Sequence, residues 1–353
     1  MTAAFPPAPA PVPAAAPTRT GRDIRAVQVT AVILCLLGTA LLALEFYPYL
    51  VVFPRATALA VALQLPLLLV GFWLLRRARP IRSPSRAWSA AAVTWGATAA
   101  TACALLANQG LTSLLGKTAG VVFASTWSAA LSAPLNEELL KVAGVVLIAL
   151  AAPRAIRGPV DGMVYGALTG LGFQVVENVT YSLNNIPLSG ATDPAAAVTI
   201  SAIIRVALTG LASHWAMSAV AGTGVGYLAA RGPRRGAVPA AVCLAGAMAM
   251  HFVFDAPRPP ITLKVLVDFA VVLVVYLCLR HGYRARAQAV LAARVAAGTV
   301  PAIEAPDLLT RGRRRRRLRR ARAGAERADV NARQQADIED IEREAADQPR
   351  GCA

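Results

Sequence analysis

The sequence predicts an all-α integral membrane protein of about eight transmembrane helices, and three observations carry that reading. Its 353 residues are 56% hydrophobic and only 16% charged, less charge than a soluble domain of this length carries. Apolar stretches of about 20 residues recur along the chain, the length a helix needs to cross about 30 Å of hydrocarbon, whereas barrel strands are shorter and alternate. Arginines crowd every second loop between those stretches.

Taken in order, residues 1–18 are Pro/Ala-rich and uncharged, so 1–25 reads as a disordered N-terminal segment. Arg19, Arg22 and Arg25 come after the apolar part rather than before it, which is not the order of a signal peptide. The first span, 26–44, therefore reads as an uncleaved anchor. Further spans fall at 56–75, 87–107, 119–152, 162–183, 198–230, 237–255 and 261–280, giving a membrane domain over 26–283. The stretch 119–152 exceeds one crossing, and Pro134 is expected to kink or break it. The stretch 198–230 is also long and is expected to tilt or project.

Loop charges set an orientation. Arg76, Arg77, Arg79, Arg82 and Arg86 follow the second span, Arg154 and Arg157 the fourth, and Arg231, Arg234 and Arg235 the sixth. Arg280 follows the eighth, while the alternate loops hold only Arg55, Lys117 and Arg258. The positive-inside rule then puts both termini in the cytoplasm of a multi-pass cell-membrane protein.

The remaining chain, 284–353, reads as an Arg-rich cytoplasmic tail, partly helical or disordered. Residues 284–298 have the pattern of an amphipathic surface helix. The formal net charge of +17 is concentrated in the loops and in the run Arg311 to Arg322. Beside a membrane core that run is expected to meet anionic lipid or to stay solvated, and nucleic acid is not the expected partner. Four of the five cysteines (Cys35, Cys103, Cys243, Cys278) lie in apolar stretches without metal-ligand spacing. The terminal Gly351-Cys352-Ala353 is not a prenylation box.

Against this apolar background stand Glu137, Glu138, Lys141, Glu177, His214, His251 and Asp255. Charges at membrane depth cost about 2.5–3.5 kcal/mol each on insertion scales and mark pathways or active sites. Counting from the Arg-rich loops at about 1.5 Å per residue puts Glu138 about 22 Å deep, Glu177 and His251 about 24 Å and His214 about 25 Å. Four groups from four helices thus share one level, in the outer half of the bilayer, which predicts a single polar site around a cavity. Lys141 follows Glu137 by four residues and Glu138 by three, so it can pair with either; His251 and Asp255 are four apart. Glu177 can also simply pair with Arg205.

In this order the residues resemble the PrsW family of intramembrane proteases and, more distantly, the CAAX-type prenyl endopeptidases. The resemblance rests on Glu137-Glu138-x-x-Lys141 after Ala133-Pro134, and on Asp161-Gly162-x-x-Tyr165-Gly166 leading to Gly172-Phe173 and Glu177-Asn178. It continues through Arg205 and His214 to His251-x-x-x-Asp255, and so covers 133–255. Gln174 departs from the small residue common at that place, and the polyarginine tail lies outside the pattern. The resemblance implies hydrolysis of a peptide bond in a membrane-anchored protein at or near the external face. In some relatives that protein is an anti-sigma factor.

Residue type defines what such a site can do. A buried carboxylate can serve as general base and then acid, and one of Glu137 and Glu138 is expected to do so because adjacent like charges resist double ionisation. Glu177, His214 and His251 make a two-histidine, one-carboxylate set suited to zinc with an open position for water. Alternatively Glu and His share the water without a metal, and the other histidine with Asp255 stabilises the oxyanion. The chain has no HExxH, GxSxG or CxxC motif. A different class, an ion-coupled transporter or proton relay, would also use buried Glu and His, but no internal repeat of broken helices supports it.

Overall fold

The computed structural model describes residues 20–321 and 324–347, and among these there is helix but no strand. The 1–18 stretch and Gly351-Cys352-Ala353 lie outside the described residues. Helix α1 (Gly21–Val52) starts at a capping box in which Thr20 and Asp23 satisfy each other's backbone N–H groups. It begins inside the segment expected to be disordered. Helix α2 (Pro54–Ala78) follows at once, with Pro54 in the first turn where no amide partner is needed. A single π turn, Gly96–Ala100, joins α3 (Arg86–Trp95) to α4 (Thr101–Ala119) in one rod.

Helix α5 (Val121–Ala151) runs through Pro134 without a break, so of the kink or break expected before the acidic pair the break does not occur. Helix α6 (Pro159–Leu188) is the centre of the bundle, buried along most of its first twenty residues. The stretch expected to be one long tilted span is divided instead. Helix α7 (Pro194–Ile203) gives way to a π turn at Ile204–Leu208 and a 3₁₀ turn at Thr209–Leu211, and α8 (His214–Asp255) starts afresh. Within α8 the chain reverses at Gly232, whose φ of 71° suits glycine, so its two arms are separate helices.

Among the described residues, five segments are long and apolar enough to cross a membrane: Gly21–Val52, Pro54–Ala78, Arg86–Ala119, Pro194–Asp255 and Ile261–Ala296. Helices α5 and α6 are comparably long, and α5 carries Glu137, Glu138 and Lys141 along its length.

Close approach of α6 to α8 follows from glycine every fourth residue. A Cβ on Gly162 would lie 2.1 Å from the Gly222 carbonyl oxygen, and one on Gly166 would lie 2.1 Å from that of Ser218. The opposite face of α6 meets the π turn in the same way, with Gly96 against Thr169.

Helix α9 (Ile261–Ala296) continues unbroken through the region expected to form a separate surface helix. The chain then folds back through α10 (Ala305–Leu308), α11 (Arg311–Arg320) and α12 (Ala325–Asp347). Ile338 and Ile341 of α12 pack with Ile81, Val290, Leu291 and Leu308 in a small core of their own. Beside it Arg79 is buried between Asp161 (2.6 Å) and Glu342 (2.7 Å), tying α2, α6 and α12 together. Burial pushes the Glu342 carboxyl up, but Arg79 and Arg82 outweigh it and hold the group below its ordinary value.

Candidate active site

The residues singled out in the sequence meet where α5, α6 and the two arms of α8 cross. Glu137, Glu138 and Lys141 share one face of α5 because helical neighbours are three and four apart, and all three are buried. Lys141 Nζ lies 2.7 Å from Glu138 Oε1 and 3.5 Å from Glu137 Oε2. It also sits 4.3 Å from the Phe173 ring centroid, a second favourable contact for a desolvated cation.

The two carboxylates are not equivalent. Glu138 is fully enclosed, taking a hydrogen bond from Ser218 Oγ at 3.2 Å and facing His251 Nδ1 at 3.0 Å. Glu137 accepts from Asn108 Nδ2 at 2.9 Å through Oε1 and turns Oε2 toward the histidines. Asn136 in turn donates to Asn108 Oδ1, fixing the amide.

His214 stands at the first turn of α8, placed there by the break at 204–213. Its Nε2 is 2.6 Å from Glu177 Oε2 and its Nδ1 is 3.6 Å from Glu137 Oε2. His251, from the returning arm, uses Nδ1 on Glu138 and points Nε2 at Glu137 Oε2 (3.7 Å) and Asp255 Oδ2 (3.4 Å). Each imidazole is therefore oriented by a carboxylate on one nitrogen and leaves the other facing inward, the arrangement that fixes the tautomer of metal-binding histidines. One carboxylate oxygen of Glu137 and one ring nitrogen each of His214 and His251 lie within 4.8 Å of one another, so this donor set suits a metal ion.

Glu177 stands outside that triangle, on the far nitrogen of His214, and pairs with Arg205 Nη2 at 2.8 Å. Arg205 is further held by Asn178 Oδ1 at 2.7 Å and stacks 3.8 Å from the Tyr181 centroid. The bland expectation of a Glu177–Arg205 pair and the expectation of a site role thus describe the same oxygen. Asp255 closes α8, whose final carbonyls at Phe254 and Ala256 accept from the buried Lys264 ammonium.

A cleft of about 400 Å³ opens on these groups between α4, α5 and α6. Glu137, Glu177 and Asp255 line it, with Asn108, Ser128 and Ser132 along the walls, whereas Glu138 does not reach it. A model of the PrsW family of intramembrane metalloproteases matches residues 84–280, more than half of the chain. The chain belongs to that family. It is accordingly a hydrolase of the membrane-protease class, and its multi-pass helical architecture is that of a protein that works within a bilayer. No curated protein and no solved structure matches the chain.

Two participants of this PrsW-family site are not evident in the sequence. Asn108 lies just past the expected third span, and the only hint is an amide pair, Asn108-Gln109, ending an apolar run. Ser218 looks like any small residue of a packed helix.

Proposed function

We propose that the chain cleaves a membrane-anchored protein near the external face, with Glu137, His214 and His251 as the hydrolytic centre. The observation that carries this is the shared geometry of the two histidines, each backed by one carboxylate and aimed at Glu137. The eight crossings and cytoplasmic termini read from the loop arginines put this centre in the outer half of the cell membrane. A substrate released by a first, extracytoplasmic cut, such as an anti-sigma factor, fits that level.

Glu137, His214 and His251 would hold the metal, and zinc suits one carboxylate with two imidazoles. A bound metal of this kind supplies a water ionised near neutral pH and polarises the scissile carbonyl. Glu138 and Glu177 keep the imidazoles in place, and Lys141 balances the acidic pair. Asp255 is the remaining carboxylate beside an inward nitrogen, partly exposed in the cleft, and can take the proton from water and pass it to the leaving amine. The metal-ligand role falls to Glu137 in preference to Glu177 because Glu177 faces the other side of His214.

One observation favours a second reading. Lys141 Nζ is 3.1 Å from His214 Nδ1, the inward nitrogen, so a cation already borders the donor set. Without a metal, Glu137 itself takes the proton from water and His251 with Asp255 stabilises the oxyanion.

Element analysis of purified, active protein decides between them. One equivalent of zinc, lost in His251→Ala, supports the metal centre; active protein with none supports the Glu/His route. Full peptidase activity in Glu137→Ala, His214→Ala and His251→Ala would sink both.

A further inference from the structure

A second cavity shares no lining residue with the cleft. It is a groove of about 590 Å³ walled by α2, α6, α9 and the start of α8. No charged side chain lines it; Leu67, Leu74 and Ala78 form one side, Ala167 the floor, and Leu273 and Tyr276 the other side. Along α2 it runs from Pro66 to Ala78, about 18 Å at 1.5 Å per residue. One leaflet of hydrocarbon is about 15 Å deep, half of the usual thickness. An uncharged groove of that length matches the reach of one acyl chain across a leaflet.

Its end at Ala78 and Tyr276 is cationic. Arg77 and Arg79 flank Ala78, and Arg311 of the tail donates to the Arg77 and Arg79 carbonyl oxygens at 3.3 and 2.5 Å. Burial, and then Arg77 and Arg79, push the Arg311 guanidinium below its ordinary value, with Arg315 adding to the repulsion. Arg79 has Asp161 and Glu342, but Arg77, Arg311 and Arg315 have no carboxylate partner among the described residues. Arg77 and Arg315 are exposed. An apolar channel one leaflet deep thus ends at three cations that no carboxylate neutralises.

We propose that this is an anionic phospholipid site, with one acyl chain in the groove and the phosphate held by Arg77, Arg311 and Arg315. The site is separate from the hydrolytic centre and does not depend on the reading of it.

Native mass spectrometry of the full chain in a non-ionic detergent, with equimolar phosphatidylglycerol and phosphatidylcholine, tests this. The expected result is one phosphatidylglycerol retained per chain, at least tenfold over phosphatidylcholine. Arg77→Gln with Arg311→Gln should abolish the preference. Leu74→Trp with Leu273→Trp, at exposed positions of the rim, should reduce retention of both lipids. Equal retention of the two lipids by wild type would overturn the proposal. So would undiminished phosphatidylglycerol on the tryptophan variant, which would mean surface adsorption alone. Stoichiometric displacement by a neutral transmembrane peptide would assign the groove to a helix and equally overturn it. Should the tryptophan variant not fold, a competition on the wild type replaces it: glycerophosphoglycerol without chains must fail to compete at equal concentration, and effective competition refutes a chain-binding groove.

Discussion

Gly170 and His214 meet backbone to backbone: a methyl group on Gly170 would lie 2.4 Å from the His214 carbonyl oxygen. The position of a metal-ligand candidate is therefore set by a residue with no side chain. Gly170→Ala must push the α8 N-terminus away, and overpacking of this kind costs about 1–3 kcal/mol. Peptidase activity is expected to fall by at least tenfold in this variant, with a lower unfolding midpoint in detergent. Gly110→Ala, where nothing lies within 4 Å, should change neither.

Glu137 and Glu138 should separate into a chemical and a structural role. Glu138→Gln leaves the buried Lys141 ammonium short of its nearest partner, and breaking such a pair typically costs about 3–5 kcal/mol. Glu137 makes the looser contact to Lys141 and lines the cleft. Glu137→Gln is expected to lower kcat by about 10²–10⁴ while unfolding closer to wild type. Thermal unfolding and cleavage measured on the same preparations check both halves; a more destabilised Glu137→Gln would contradict the assignment.

Asn108 is a positioning residue, since its amide holds Glu137 Oε1 and leaves Oε2 for the histidines. Asn108→Ala should reduce kcat about tenfold with KM little changed, because the lost contact is to the enzyme's own carboxylate. A rise in KM at constant kcat would instead make Asn108 a substrate contact.

Docking of α12 should be acid-sensitive. The folded Glu342 carboxyl is held below its ordinary value of 4.5, so the unfolded state binds more protons in that range. Its contribution is complete above 4.5 and is lost as pH falls through the lower folded value. The protection of amides over 325–347 against hydrogen exchange, corrected for the intrinsic pH dependence of the rate, should therefore fall on acidification. Glu342→Gln should exchange faster at neutral pH and lose that part of the pH dependence.

Much of the site is legible in the sequence because charge in an apolar chain is costly and so is placed with purpose. Counting depth from the arginine loops brings Glu138, Glu177, His214 and His251 to one level, and the structure holds them in one connected cluster. What the count does not supply is azimuth. Helical rise gives depth but not which oxygen faces which ring, so it does not single out Glu137, whose Oε2 faces both histidines. The break at 204–213 is hidden for a related reason: six of its ten residues are Ile, Val, Ala or Leu, and a mostly apolar composition does not distinguish a tilted helix from an interrupted one. Pro134 misleads the other way, since a proline in the middle of a long, packed helix can be accommodated without ending it. Docking of the tail depends on single residues, Ile338, Ile341 and Glu342, within a polar segment whose average composition resembles a solvated one.

The buried Arg79 has a consequence for how the protein is made. Asp161 joins it as soon as the sixth helix is in place, but Glu342 is synthesised 181 residues later (342 − 161). Until then, the arginine that anchors the catalytic scaffold's central helix has half its counter-charge. A chain stopped before residue 342 lacks the second ion pair, and the lack is felt at the base of the helix that carries Glu177.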